Sequence, residues 1–81
     1  MLTIIKSEKR VQVWVFKTNI RFKKDLLLIA PLLNRTSAIL NWNVDRGDVD
    51  KVLRIESLHL QAQQIIDLVQ QAGYHCEELP D

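Results

Sequence analysis

In the run VQVWVFKTNIRFKKDLLLIAPLLNR, residues 11–35, the hydrophobic period changes from two to between three and four within about a dozen positions. A segment with one period cannot continue with the other, so this stretch dictates an extended strand, a turn and a helix. In the strand, residues 11–16, Val11, Val13 and Val15 alternate with Gln12, Trp14 and Phe16. Both sides carry apolar groups, which places the strand inside a sheet and leaves open which side meets the helices. After KTNIRF, the positions Leu26, Ile29, Ala30 and Leu33 form one helical stripe, predicting a helix over 23–34 with a bend or tightening at Pro31.

The remainder reads in the same way. AILNWNVD alternates Leu40, Trp42 and Val44 against Ile39, Asn41 and Asn43, predicting a half-buried second strand. DRGD turns the chain, with Gly47 expected in the left-handed conformation of a tight hairpin, and KVLRIE follows as a third strand. Ser57 is the expected N-cap of a second helix with a stripe of Leu58, Ala62, Ile65, Val69 and Ala72. Gly73 stands where a left-handed C-cap belongs, and YHCEEL supplies a short last strand with Tyr74, Cys76 and Glu78 on one face. The order βαββαβ has a compact α+β solution, the ferredoxin-like sandwich: a four-stranded antiparallel sheet with both helices on one face. Right-handed crossovers put strands one and three in the middle and strands two and four at the edges. Residues 11–81 form one such domain on this reading, and residues 1–10 are an extension or an extra edge strand.

Eighty-one residues suffice for one small domain with a thin core. MLTIIKSEKR is too short for a signal h-region or a membrane span, and Cys76 stands alone, so a cytoplasmic location and no membrane partner are expected. The net charge of +1 conceals a split, because residues 1–35 hold eight Lys/Arg against two acids and residues 36–81 hold three against eight. The simplest meaning is solvated faces that the fold intermixes. The alternative is steering of an anionic partner, or of two copies toward each other.

Two stretches carry a family resemblance. AILNWNVD is similar to the second strand of heavy-metal-associated domains, ending in Val-Asp, and IIDLVQQAGYHCEEL is similar to their second helix running through Ala-Gly-Tyr into the last strand. The resemblance covers about residues 11–79. It implies the ferredoxin-like fold and, after strand one, a Met-x-Cys-x-x-Cys loop that grips a soft ion through two thiolates. Here Ile20 falls near the methionine position and Phe22 and Asp25 near the two cysteines, so the ligand pair is missing. The resemblance is to a degenerate member of that family, one without its ligand pair, which implies no cofactor and no metal. The junction residues Asn19, Ile20, Arg21, Phe22, Lys23 and Lys24 are the expected contact loop for an unknown protein partner or a homodimer.

Two other uses of such a chain are weighed against this one. Metal handling would need Cys76 with His59 or His75, and because neighbouring His75 and Cys76 point to opposite faces, such a site needs a second chain. RNA binding would stack bases on Trp14 and Phe16, but KVLRIE lacks aromatic residues and the KGFGFVxF signature, which makes nucleic acid a weak expectation. Asp45, Asp48 and Asp50 lack the spacing of a calcium loop and read as turn residues. No nucleophile with a base, paired carboxylates or phosphate loop stands at meaningful spacing, so the chain is not expected to be an enzyme.

Overall fold

The computed structural model describes residues 11–80; the proposed extension over 1–10 lies outside them. Strand β1 (Gln12–Thr18), helix α1 (Lys23–Arg35), strands β2 (Ile39–Asp45) and β3 (Val52–Ser57), helix α2 (Ala62–Gln71) and strand β4 (Cys76–Glu78) follow one another along the chain. The sheet order is β2-β3-β1-β4 and all neighbouring pairs are antiparallel. This is the ferredoxin-like arrangement with strands one and three central. Among the described residues, no helix is long and apolar enough to cross a membrane.

The face of β1 that meets the helices is the aromatic one. Phe16 is fully buried in a core with Ile29, Leu33, Leu53, Ile55, Ile65, Val69 and Cys76, and Trp14 packs against that core. Val11 and Val13 are about half exposed on the open side. Large rings bury more apolar surface between the sheet and the helix layer than valines do. The Trp14 indole N–H also reaches the Leu60 carbonyl at 3.2 Å. An RNA-stacking surface on β1 is therefore not built, because both of its aromatic residues point inward.

Three local expectations are corrected. Strand β2 contains an irregularity: Ile39 pairs with Ser57 and Asn41 with Glu56, so Leu40 is the extra residue of a bulge. That extra residue turns Ile39 toward the core and leaves Leu40 exposed, while Trp42 and Val44 stay inward. In the hairpin the left-handed residue is Lys51 (φ 46°) rather than Gly47, and the turn is held by Asp side chains. Asp45 Oδ1 accepts from the Gly47 N–H at 3.1 Å and Asp48 Oδ1 from the Asp50 N–H at 2.8 Å. Ser57 is not an N-cap, because it ends β3 and α2 begins at Ala62. The residues between lift the chain from the sheet to the helix layer, passing through His59 at φ 57°, and Gln12 Oε1 accepts the Leu60 N–H at 3.0 Å. Gly73 takes the expected left-handed C-cap position at φ 95°.

Ser57 is fully buried, and among the described residues its hydroxyl has no hydrogen-bond partner. A buried hydroxyl without a partner costs about 1–3 kcal/mol, so Ser57→Ala is expected to stabilise the domain by about 1 kcal/mol. Urea titration of the two proteins checks this, and a destabilised alanine variant would show that the hydroxyl is satisfied.

Candidate functional site

The β1–α1 junction lies at one end of the sheet, where three connections meet. The register pairs Thr18 with Cys76 and Phe16 with Leu53, which brings the β2–β3 hairpin and the α2–β4 connection beside the end of β1. Thr18 fixes the first contact: its N–H donates to the Asp50 carbonyl at 3.0 Å and its hydroxyl to the Lys51 carbonyl at 2.6 Å. The same hydroxyl oxygen accepts the Ile20 N–H at 3.2 Å, closing the turn that leaves the strand. Asn19 fixes the second contact, its Oδ1 accepting the His75 N–H at 2.9 Å.

Asp25 joins the pieces. Its Oδ2 accepts the N–H groups of Phe22 at 2.9 Å and Arg21 at 3.2 Å, and its Oδ1 accepts the Tyr74 hydroxyl at 2.8 Å. The position explains the geometry. Phe22 is the extended N-cap of α1 (φ −111°, ψ 156°) and Asp25 is the third helical residue, so the carboxylate turns back onto donors the helix itself cannot satisfy. Tyr74 arrives from beyond the Gly73 cap and ties this helix start to the opposite connection. The Phe22 N–H holds the Asp25 carboxyl below its ordinary range, aided by the Tyr74 hydroxyl, against a smaller opposing effect of burial. Burial, followed by the Asp25 carboxylate, pushes the Tyr74 hydroxyl up.

The sign of the resulting pH dependence is fixed by the lowered Asp25 value. The carboxylate's contribution to stability is complete above its ordinary value of 3.8 and is lost as the pH falls through the lower native value. Asp25→Asn is expected to melt at a lower temperature than the wild type at neutral pH and to show a flatter loss of stability on acidification below pH ~4. Thermal melts across that range test it; parallel acid profiles would remove Asp25 from the account.

Of the six expected contact residues, Ile20 is fully buried and offers no surface. The Asn19 amide oxygen is engaged by His75. Arg21, Phe22, Lys23 and Lys24 are exposed, with the Lys24 ammonium 5.7 Å from the centre of the Phe22 ring and Phe22 itself 56% exposed. The residues of the alternative metal site do not meet within one chain. Cys76 is buried in the core, and burial, then the Glu77 charge, pushes its thiol up to about 12. His75 is exposed and its Nε2 lies 2.9 Å from Glu77 Oε1. His59 follows Ser57, which pairs with Gln12 at the other end of β1. Among the described residues no three of His, Cys, Asp or Glu gather into a metal site.

The junction therefore does not fit a soft ion. Phe22 has no donor atom, and the Asp25 carboxylate is a hard oxygen ligand already holding three hydrogen bonds. The Asp25–Tyr74 link was not read from the sequence, because the two residues lie 49 positions apart. An acid three residues after an extended residue at a helix start was its only local signal.

No family model matches the chain, and no curated protein sequence matches it. Solved structures do. The apo form of the HMA domain of the copper chaperone for superoxide dismutase superposes with a TM-score of 0.75 at 11% identity, over 99% of this chain and 79% of that one. The N-terminal domain of PacS from Synechocystis PCC6803 gives 0.70 at 20% identity, over 85% and 98%. Oxidized MerP from Ralstonia metallidurans CH34 gives 0.74 at 8% identity, over 88% and 100%. At these identities the likeness establishes the fold.

Proposed function

We propose that this chain, built on the heavy-metal-associated fold, is a non-catalytic binding module that works in the cytosol through contacts with a protein partner or a second copy of itself. The observation that carries this reading is the use made of Asp25. At the position where the resemblance places a second thiolate stands a carboxylate whose two oxygens fasten the helix start and Tyr74. The scaffold is thereby kept rigid where a metal loop would be, and the exposed groups left there, Arg21, Phe22, Lys23 and Lys24, are suited to contact rather than ligation. The Cys76 thiol, buried and pushed up to about 12, is a poor nucleophile.

The test is a Cu(I) titration of the purified chain against a competing chelator, run beside affinity capture with the wild type and a Phe22→Ala, Lys23→Glu variant. One equivalent of Cu(I) held by a monomer at the junction overturns the reading. Partners retained by the wild type and lost by the variant support it.

A second reading is metal handling by Cys76 with His59 or His75 across a dimer. It is favoured by the copper chaperone domain among the structures of the same fold, including one solved in a copper(I)-loaded form. Metal binding that requires two chains and vanishes in Cys76→Ser would establish this second reading in place of the first.

A further inference from the structure

Helix α1 is apolar on both sides. Ile29 and Leu33 face the core, yet Leu27 and Leu28, 68% and 62% exposed, lie on the opposite arc together with Pro31. The solvent face of an amphipathic helix ordinarily carries polar and charged residues, and here it also carries two adjacent leucines and a proline. The spacing Lys24, Leu27, Leu28, Pro31, Arg35 sets these five exposed residues on one outward face, with a cation at each end and no acid between. Lys24 and Arg35 are about 16 Å apart along the axis, and the exposed Phe22 ring lies 5.7 Å from the Lys24 ammonium at one end.

From residue 11 to residue 44 the only acid is Asp25, and its carboxylate is turned inward to Tyr74 and the helix start. Arg21 and Lys23 add to the cationic rim. Helix α2, in the same layer, is the contrast. Ile65 and Val69 face inward, and its outward arc carries Gln63, Gln64, Asp67, Gln70 and Gln71, an ordinary solvated face.

We infer that the outward face of α1 docks on an anionic lipid bilayer surface, with Leu27, Leu28 and Phe22 in the interfacial layer and Lys24 and Arg35 on the headgroups. Two features select this occupant. A second copy using the same face would set cations against cations, since two-fold pairing repeats the patch on both sides. The stripe is also convex and one helix wide. A deformable bilayer accepts such a stripe without a complementary groove, and a uniformly anionic surface matches a rim of one sign. Long Lys and Arg stems let the charges stay at headgroup level while the leucines enter. The contact is peripheral, at the bilayer surface, and so departs from the expectation of no membrane partner, which rests on the lack of a segment long enough to span.

The experiment is co-sedimentation of the full chain with phosphatidylcholine vesicles and with vesicles in which about a third of the lipid is phosphatidylserine. Binding to the anionic vesicles is expected to exceed that to the neutral ones by roughly tenfold or more at low salt, and to collapse at high salt. Leu27→Gln with Leu28→Gln, and separately Lys24→Gln with Arg35→Gln, are each expected to reduce it by roughly tenfold, with far-ultraviolet circular dichroism unchanged. Gln63→Ala with Gln70→Ala on α2 leaves it intact. Equal binding to both vesicle types, no binding to either, or binding indifferent to the α1 variants overturns the inference. So does saturable capture of an acidic protein through this face without vesicle binding.

Discussion

A Phe22→Cys, Asp25→Cys double variant will hold one equivalent of Cu(I) per chain against a chelator that strips the wild-type protein completely. The reason is geometric. Positions 22 and 25 are the N-cap and third residue of α1, and the present contact of Asp25 Oδ2 with the Phe22 N–H at 2.9 Å shows that a side chain at position 25 turns back onto the backbone of position 22. Thiolates there would replace one ring without a donor and one hard carboxylate by the soft pair that Cu(I) prefers. The helix N-terminus further favours the anionic sulfur. Ile20, buried where the resemblance places a methionine, keeps the loop seated on the core without change. The cost is the loss of the Asp25–Tyr74 link, so the apo variant should melt below the wild type and regain stability on loading with metal. A competition titration with Cu(I) and a pair of thermal melts read both effects. Failure of the variant to bind, while still folded, would mean that the junction has lost the shape of a metal loop along with its donors.

How far the sequence foretells this molecule differs from element to element. The order of strands and helices was legible because each segment has one hydrophobic period and the turns carry strong signals, above all Gly73. The facing of β1 was not. Valines on one side and aromatics on the other satisfy the same alternation, and only the room between sheet and helices decides for the rings. The bulge at Leu40 was hidden because ILNWNV alternates plausibly in either parity; the extra residue is seen only against β3. Ser57 looked like a cap because a serine before a leucine-rich run is a common helix start. A register with Gln12 instead makes it the last rung of a central strand. The junction was legible in what it lacks, the two cysteines, and opaque in what it has. Hydrogen bonds from Tyr74 to Asp25 and from His75 to Asn19 join residues far apart in the chain, which no local pattern records.

The facing of β1 also yields the largest stability effect expected from a single substitution. Phe16→Ala removes a fully buried ring that lies among Ile29, Leu33, Leu53 and Ile65, and such truncations cost about 3–5 kcal/mol because the surroundings collapse only partly into the space. A domain of this length has about 4–12 kcal/mol in total, so the variant should populate unfolded forms at room temperature or fail to fold. Val13→Ala, three residues earlier, truncates a side chain 47% exposed on the open face and should cost less than about 1 kcal/mol. The comparison isolates facing from composition, since both residues belong to the same central strand and both are paired with β3, Phe16 to Leu53 and Val13 to Glu56. Urea unfolding of the two variants reads the difference directly. Were Val13→Ala the more damaging, the strand would be turned over, Trp14 and Phe16 would lie on the open face, and base stacking on that face would return as a use of this domain.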